Sequence, residues 1–122
     1  MKKILVVDDE KELRELMVEK LIKNNYSVLS AGDGREALRA AEAESPDLIL
    51  LDVAMPVMDG YETCQELKKN NKTKDIPIVF LTGKDLDPKS IERRNRELGA
   101  RGFLPKPSTF RELLDTISEV LG

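Results

Sequence analysis

Three short runs of uninterrupted aliphatic residues, Ile4–Val7, Leu48–Leu51 and Ile78–Leu81, do most to limit what this chain can fold into. None has the polar alternation of a strand with one wet face. Continuous apolar strands of this length belong to parallel sheets covered on both sides. Each run also stops on a polar residue: Asp8 and Asp9 after the first, Asp52 after the second, Thr82 after the third. Two less apolar segments, Ser27–Ala31 and Arg101–Leu104, fit two further strands, the former at a sheet edge.

Between these runs the apolar spacing becomes helical. Leu13, Leu16, Met17 and Leu21 share one helix face, as do Ala37, Leu38 and Ala41, and then Phe110, Leu113, Leu114, Ile117 and Leu121. Four capping boxes mark helix starts: Asp9-x-x-Glu12, Asp33-x-x-Glu36, Asp59-x-x-Glu62 and Thr109-x-x-Glu112. Pro46 and Pro77 stop helices just before strands. Strand and helix therefore alternate five times. That pattern predicts an α/β fold with a doubly wound parallel sheet, helices on both faces and right-handed crossovers.

Composition narrows the chemistry. The 122 residues fit one domain spanning 1–122. A single cysteine, Cys64, excludes an internal disulfide, and the absence of histidine removes Ser-His and Cys-His catalysis and most zinc sites. Cys64 reads as a packing residue. The net charge of −3 is mild and mixed, so no direct nucleic-acid surface is expected. Lys89, Arg93, Arg94 and Arg96 read as a solvated helix face. The apolar runs are far too short to span a membrane, and the start "MKKILVVDDE" lacks the long apolar core of a signal peptide, so a cytoplasmic location is expected.

Open α/β sheets bind ligands at the carboxyl ends of their strands. With the strands side by side, Asp8, Asp9, Glu10, Asp52, Thr82, Gly83 and Lys106 meet there. Two carboxylates ~4 Å apart repel by roughly 4 kcal/mol at an effective dielectric of ~20. A divalent cation removes that cost, and an all-oxygen donor set favours Mg²⁺, then Mn²⁺ or Ca²⁺. Lys106 and Thr82 are suited to the oxygens of a phosphoryl group, and Asp52 to attack on phosphorus. Plainer roles exist for some of these residues. Asp9 fits a helix cap, Asp8 fits either a metal ligand or a supporting carboxylate, Glu10 fits a first-turn glutamate, and Asp59 fits a cap in an Asp-Gly turn. Capping does not explain Asp52, because "VAMPVM" separates it from the next helix.

Over essentially its whole length the sequence resembles the receiver domain of bacterial two-component response regulators. The resemblance rests on "VVDDE", "LLDVAMPVMDG", "FLTG" and "GARGFLPKP", in that order and spacing. It implies a flavodoxin-like (βα)5 three-layer sandwich with a five-stranded sheet of order 2-1-3-4-5. It implies Asp52 as phosphoryl acceptor, and Asp9, Asp52 and the Ala54 carbonyl as Mg²⁺ ligands, with Asp8 acting through water. Thr82 would be the switch hydroxyl, Lys106 the phosphoryl-contacting cation and Phe103 the switch aromatic. The Lys106–Pro107 peptide would be cis. The donor would be a phosphohistidine on a sensor histidine kinase or histidine phosphotransfer protein. The output would be an effector protein or an attached domain, reached by a monomer or a phosphorylation-dependent dimer. Gly83 stands where alanine is usual, Ser108 where an aromatic is frequent, and Ala54 and Lys84 occupy positions that tune dephosphorylation.

Other readings fare less well. An aspartate-nucleophile phosphatase normally carries a second acid two residues on, where this chain has Ala54. A flavin carrier needs aromatics and a Ser/Thr-rich phosphate loop, and a receiver that no longer accepts phosphate would not keep the full residue set. The excised receiver of a longer DNA-binding regulator would have the same sequence.

Overall fold

The computed structural model describes residues 1–83, 87–106 and 109–122. Lys84, Pro107 and Ser108, and with Pro107 the peptide expected to be cis, lie outside the described residues. Strands and helices alternate from end to end: β1 Lys3–Val7, α1 Lys11–Lys23, β2 Ser27–Ala31, α2 Gly34–Glu44, β3 Leu48–Asp52, α3 Gly60–Lys69, β4 Ile78–Gly83, α4 Pro88–Leu98, β5 Gly102–Lys106 and α5 Phe110–Leu121. The strands form one parallel sheet in the order β2-β1-β3-β4-β5, as the resemblance implies.

The uninterrupted aliphatic runs are explained by two cores, one on each face of the sheet. Ile4, Val6, Leu48, Leu50, Val79 and Leu81 point to one face and meet Met17 and Leu21 of α1 and Leu113 and Ile117 of α5. Leu5, Val7, Ile49, Leu51, Ile78 and Phe80 point to the other, against Ala37, Ala41, Cys64 and Leu67 of α2 and α3. Every residue of β3 is buried, and fully burying one such aliphatic side chain is worth about 1.5–3 kcal/mol. That burial fixes the height at which Asp52 leaves the sheet. Cys64 is fully buried, and burial pushes its thiol up to about 11, consistent with a packing role.

Four expectations shift. Leu16 belongs to the apolar stripe of α1 by spacing but is 48 % exposed, since only Met17 and Leu21 of that helix are fully packed. The last strand runs Gly102–Lys106 instead of ending at Leu104, so Pro105 and Lys106 are strand residues. Proline is tolerated there because β5 is an edge and no further strand needs its missing N–H. Asp9 does not cap α1. The N-cap position is Glu10, with no side-chain cap, and the N–H of Glu10 donates instead to Asp8 Oδ1 at 2.9 Å. Glu10 accordingly lies just outside the first turn of α1. The other three caps form as expected, through Asp33, Asp59 and Thr109.

Candidate functional site

The carboxyl ends of β1, β3, β4 and β5 gather the polar residues that end their strands. Asp8 and Asp52 are buried and Asp9 is exposed. One carboxylate oxygen from each lies within 4.8 Å of the others. Lys106 stretches over this group from β5. Its Nζ lies 3.0 Å from Asp8 Oδ2, 3.4 Å from Asp52 Oδ1 and 3.5 Å from Glu10 Oε1. Glu10 therefore belongs to the rim of the site, a role its place before a helix did not reveal.

Each carboxylate has a distinct state. Asp8 accepts twice, from the Glu10 N–H on Oδ1 and from Lys106 on Oδ2. Asp52 Oδ2 is buried with no hydrogen-bond partner among the described residues. A bare buried carboxylate oxygen is costly, and such orphans call for a physical explanation. Burial raises the Asp52 carboxyl to about 7, reinforced by the charge of Asp8 and opposed by Lys106. Burial pulls the Lys106 ammonium down, but the Asp8 hydrogen bond and the charges of Asp8, Asp52 and Glu10 outweigh it, and the net shift is upward.

The Asp52 shift has a stability consequence. Between the unfolded value of 3.8 and about 7, the folded carboxyl holds a proton that the unfolded one has released. Stability therefore falls as pH rises through that window, and the penalty is complete above it. Asp52→Asn removes the penalty. It is expected to raise the metal-free melting temperature at pH 8 by several degrees, about 2 kcal/mol or more, with the gain vanishing below pH 4. Thermal melts across pH check this; a gain equal at pH 4 and pH 8 would contradict it.

The remaining expected residues fall around this centre. Thr82 is buried next to the β4 residue that pairs with Asp52, and its hydroxyl donates to the Leu104 carbonyl at 3.3 Å. Phe103, half-buried, pairs with Phe80 and packs on the core. Ala54 is exposed in the turn just past Asp52, where the Met55 N–H bonds the Val53 carbonyl. Lys89, Arg93, Arg94 and Arg96 of α4 are exposed, as a solvated face should be, with Arg94 stacked 4.8 Å over Tyr61.

The loop from Val53 to Asp59 closes tightly beneath the site. Val57 sits at φ +68°, a conformation that costs a β-branched residue strain, and the Met58 N–H bonds the Pro56 carbonyl at 2.7 Å across it. Met58 packs over Gly34, where a Cβ would lie 2.8 Å from its sulfur. Gly60 then donates to the Val53 carbonyl at 2.9 Å. The Asp-Gly pair reads in sequence as a turn, and Asp59 does cap α3. The closeness of Gly60 to the Asp52 backbone had no sequence signal.

Known proteins resemble this chain in sequence and fold. Residues 4–118 match the family described as the response regulator receiver domain. The Bacillus subtilis alkaline phosphatase synthesis transcriptional regulatory protein PhoP is 42 % identical over 98 % of this chain, which covers 48 % of PhoP. The chain spans about half the length of the curated relatives it matches. Among solved structures, the Vibrio cholerae chemotaxis protein CheY4 superposes with a TM-score of 0.91 at 36 % identity, covering 99 % of each chain. The Thermotoga maritima response regulator TrrA, solved in complex with Mg²⁺-BeF, superposes with a TM-score of 0.84 at 35 % identity, covering 99 % of this chain and 100 % of that one.

Proposed function

This chain belongs to the response regulator receiver domain family, and on that premise we propose that residues 1–122 act as one phosphorylation-driven switch with Asp52 as the phosphoryl acceptor. The observation that carries this reading is the bare, buried Asp52 Oδ2 beside two further carboxylates, with Lys106 3.4 Å from its other oxygen. The donor is a phosphohistidine of a sensor histidine kinase or histidine phosphotransfer protein. An Asp52 oxygen forms the new bond to phosphorus as the N–P bond breaks, and the leaving imidazole takes a proton from solvent. The only turnover is the domain's own phosphorylation and dephosphorylation.

The donor set fits a hard divalent cation, Mg²⁺ first and Mn²⁺ second. Asp9 is exposed and Asp52 has a free oxygen, so these two would hold it, with the Ala54 carbonyl. Asp8, already accepting on both oxygens, suits a role through water. When bound, the cation neutralises the carboxylates and the transferring oxygens. Lys106 is released from Asp8 to contact the phosphoryl group.

Thr82 supplies the switch. Its hydroxyl now holds the Leu104 carbonyl, next to Phe103. Turning to a phosphoryl oxygen would free that carbonyl and let Phe103 repack, changing the surface of α4, β5 and α5 that a partner or output domain reads. Among the described residues no helix is long and apolar enough to cross a membrane. Incubation with Mg²⁺ and acetyl phosphate tests the proposal. Intact mass should rise by one phosphoryl group in the wild type and not in Asp52→Asn; an unmodified wild type would contradict it.

A further inference from the structure

We propose that Arg14 is a positioning residue for the metal-binding carboxylates, reaching the Asp8 backbone through a passage kept open by Gly32. The proposal rests on the reading of Asp8, Asp9 and Asp52 as a divalent cation site. Arg14 is the fourth residue of α1, where the helix dipole disfavours a positive charge. It is half-buried, and its Nη1 donates to the Asp8 carbonyl oxygen at 2.8 Å, a charge-assisted bond.

The bonded carbonyl belongs to the peptide whose nitrogen is that of Asp9. Fixing its plane fixes where the Asp9 side chain starts, as well as the turn by which Asp8 meets Lys106. The preceding peptide is anchored too, since the Asp8 N–H bonds the Ala31 carbonyl at 3.2 Å. The path of Arg14 runs past Gly32. A Cβ there would lie 3.2 Å from Arg14 Nη1 and 3.5 Å from Glu36 Oε2. Glu36 in turn accepts from the Gly32 N–H at 2.6 Å and holds that loop in place. Gly32 has no need of a positive φ, so its value here is space.

Charge and position predict opposite signs. A guanidinium beside a divalent cation repels it, so a purely electrostatic Arg14 would weaken Mg²⁺ binding and its removal would tighten it. A positioning Arg14 does the reverse. Residues that orient metal ligands typically alter affinity by about 10–100-fold, and we expect Arg14→Met to weaken Mg²⁺ binding by about ten-fold. Gly32→Val, which pushes the guanidinium aside without changing charge, should weaken it in the same direction, and Arg14→Lys should recover part of the loss.

Isothermal titration of metal-free protein with Mg²⁺ tests this, with thermal melts to show that each variant is folded. Acetyl phosphate labelling adds a second readout: the Mg²⁺ concentration for half-maximal rate should rise in Arg14→Met, while the rate at saturating Mg²⁺ stays within about two-fold of wild type. Should Arg14→Met fail to fold, Gly32→Val and Arg14→Lys carry the test. Unchanged or tighter Mg²⁺ binding in the folded variants overturns the proposal. A wild type that itself takes up no Mg²⁺ overturns the cation reading beneath it, and this proposal with it.

Discussion

Replacing Gly60 with alanine is expected to destabilise the protein by about 3 kcal/mol or more and to abolish phosphoryl uptake. Gly60 opens α3 directly under Asp52. A Cβ there would collide with the Asp52 carbonyl oxygen and lie 2.8 Å from the Val53 Cα and 2.9 Å from the Asp52 carbonyl carbon. All three are backbone atoms, so no flexible side chain can yield. Either α3 moves away, breaking the 2.9 Å bond from the Gly60 N–H to Val53, or the end of β3 tilts and takes Asp52 out of reach of Lys106. Denaturant unfolding and acetyl phosphate labelling measure the two effects. Gly83→Ala is the control, because a Cβ at that position meets nothing within 4 Å. Wild-type stability and labelling in Gly60→Ala would show that the loop relaxes more freely than its contacts allow.

Lys106→Met should have the second large effect. Lys106 is the cation shared by Asp8 and Asp52, both buried, and its removal leaves their repulsion uncompensated. Breaking one side of a buried ion pair costs about 3–5 kcal/mol, and the upper part of that range is reasonable here because two carboxylates lose one partner. The loss should depend on conditions in a way that loss of packing would not. The cost grows as pH rises and Asp52 loses its proton, a step that removing Lys106 moves upward from about 7. Below pH 5 Asp52, already raised to about 7 in the wild type, holds its proton and the cost shrinks. Millimolar Mg²⁺ should recover much of the stability at pH 8, since it replaces the missing charge. Asp52→Asn added to Lys106→Met should also restore stability, giving a large coupling in a double-mutant cycle. Destabilisation that is the same at every pH, with and without Mg²⁺, would reduce Lys106 to a packing residue.

The fold was legible because burial on both sides of a parallel sheet leaves a period-free aliphatic signature. Leu48–Leu51 and Ile78–Leu81 could be little else, and Ser27–Ala31 showed its edge position through its serines. The site was legible for the same reason: the polar residue that ends each run has to emerge at the same edge of the sheet. Contacts formed between distant segments were less visible. The pairing of Lys106 with Asp8 spans 98 residues, and only a fold hypothesis brings them together. Asp9 satisfied a capping pattern that the structure does not use, because Asp8 takes the N–H of Glu10 and the helix begins later. Leu16 satisfied the helical period, yet α1 turns it toward the groove beside α5, where it stays 48 % exposed. Arg14 left no mark, and Gly60 showed only as half of an Asp-Gly turn. An arginine in a first turn and a glycine after an aspartate are ordinary sequence, and what they do depends on backbone atoms that come close only after folding.

Under the proposed function Asp52, and no other carboxylate of the acidic edge, takes the phosphoryl group. The most direct measurement is residue-level mapping of protein labelled with acetyl phosphate and Mg²⁺, then reduced with borohydride, which converts an aspartyl phosphate to homoserine. Peptide mass spectrometry should place homoserine at position 52 alone, with Asp8, Asp9 and Asp59 unchanged. Homoserine at one of those three positions, or none at 52 in protein whose intact mass shows the added phosphoryl group, would contradict it.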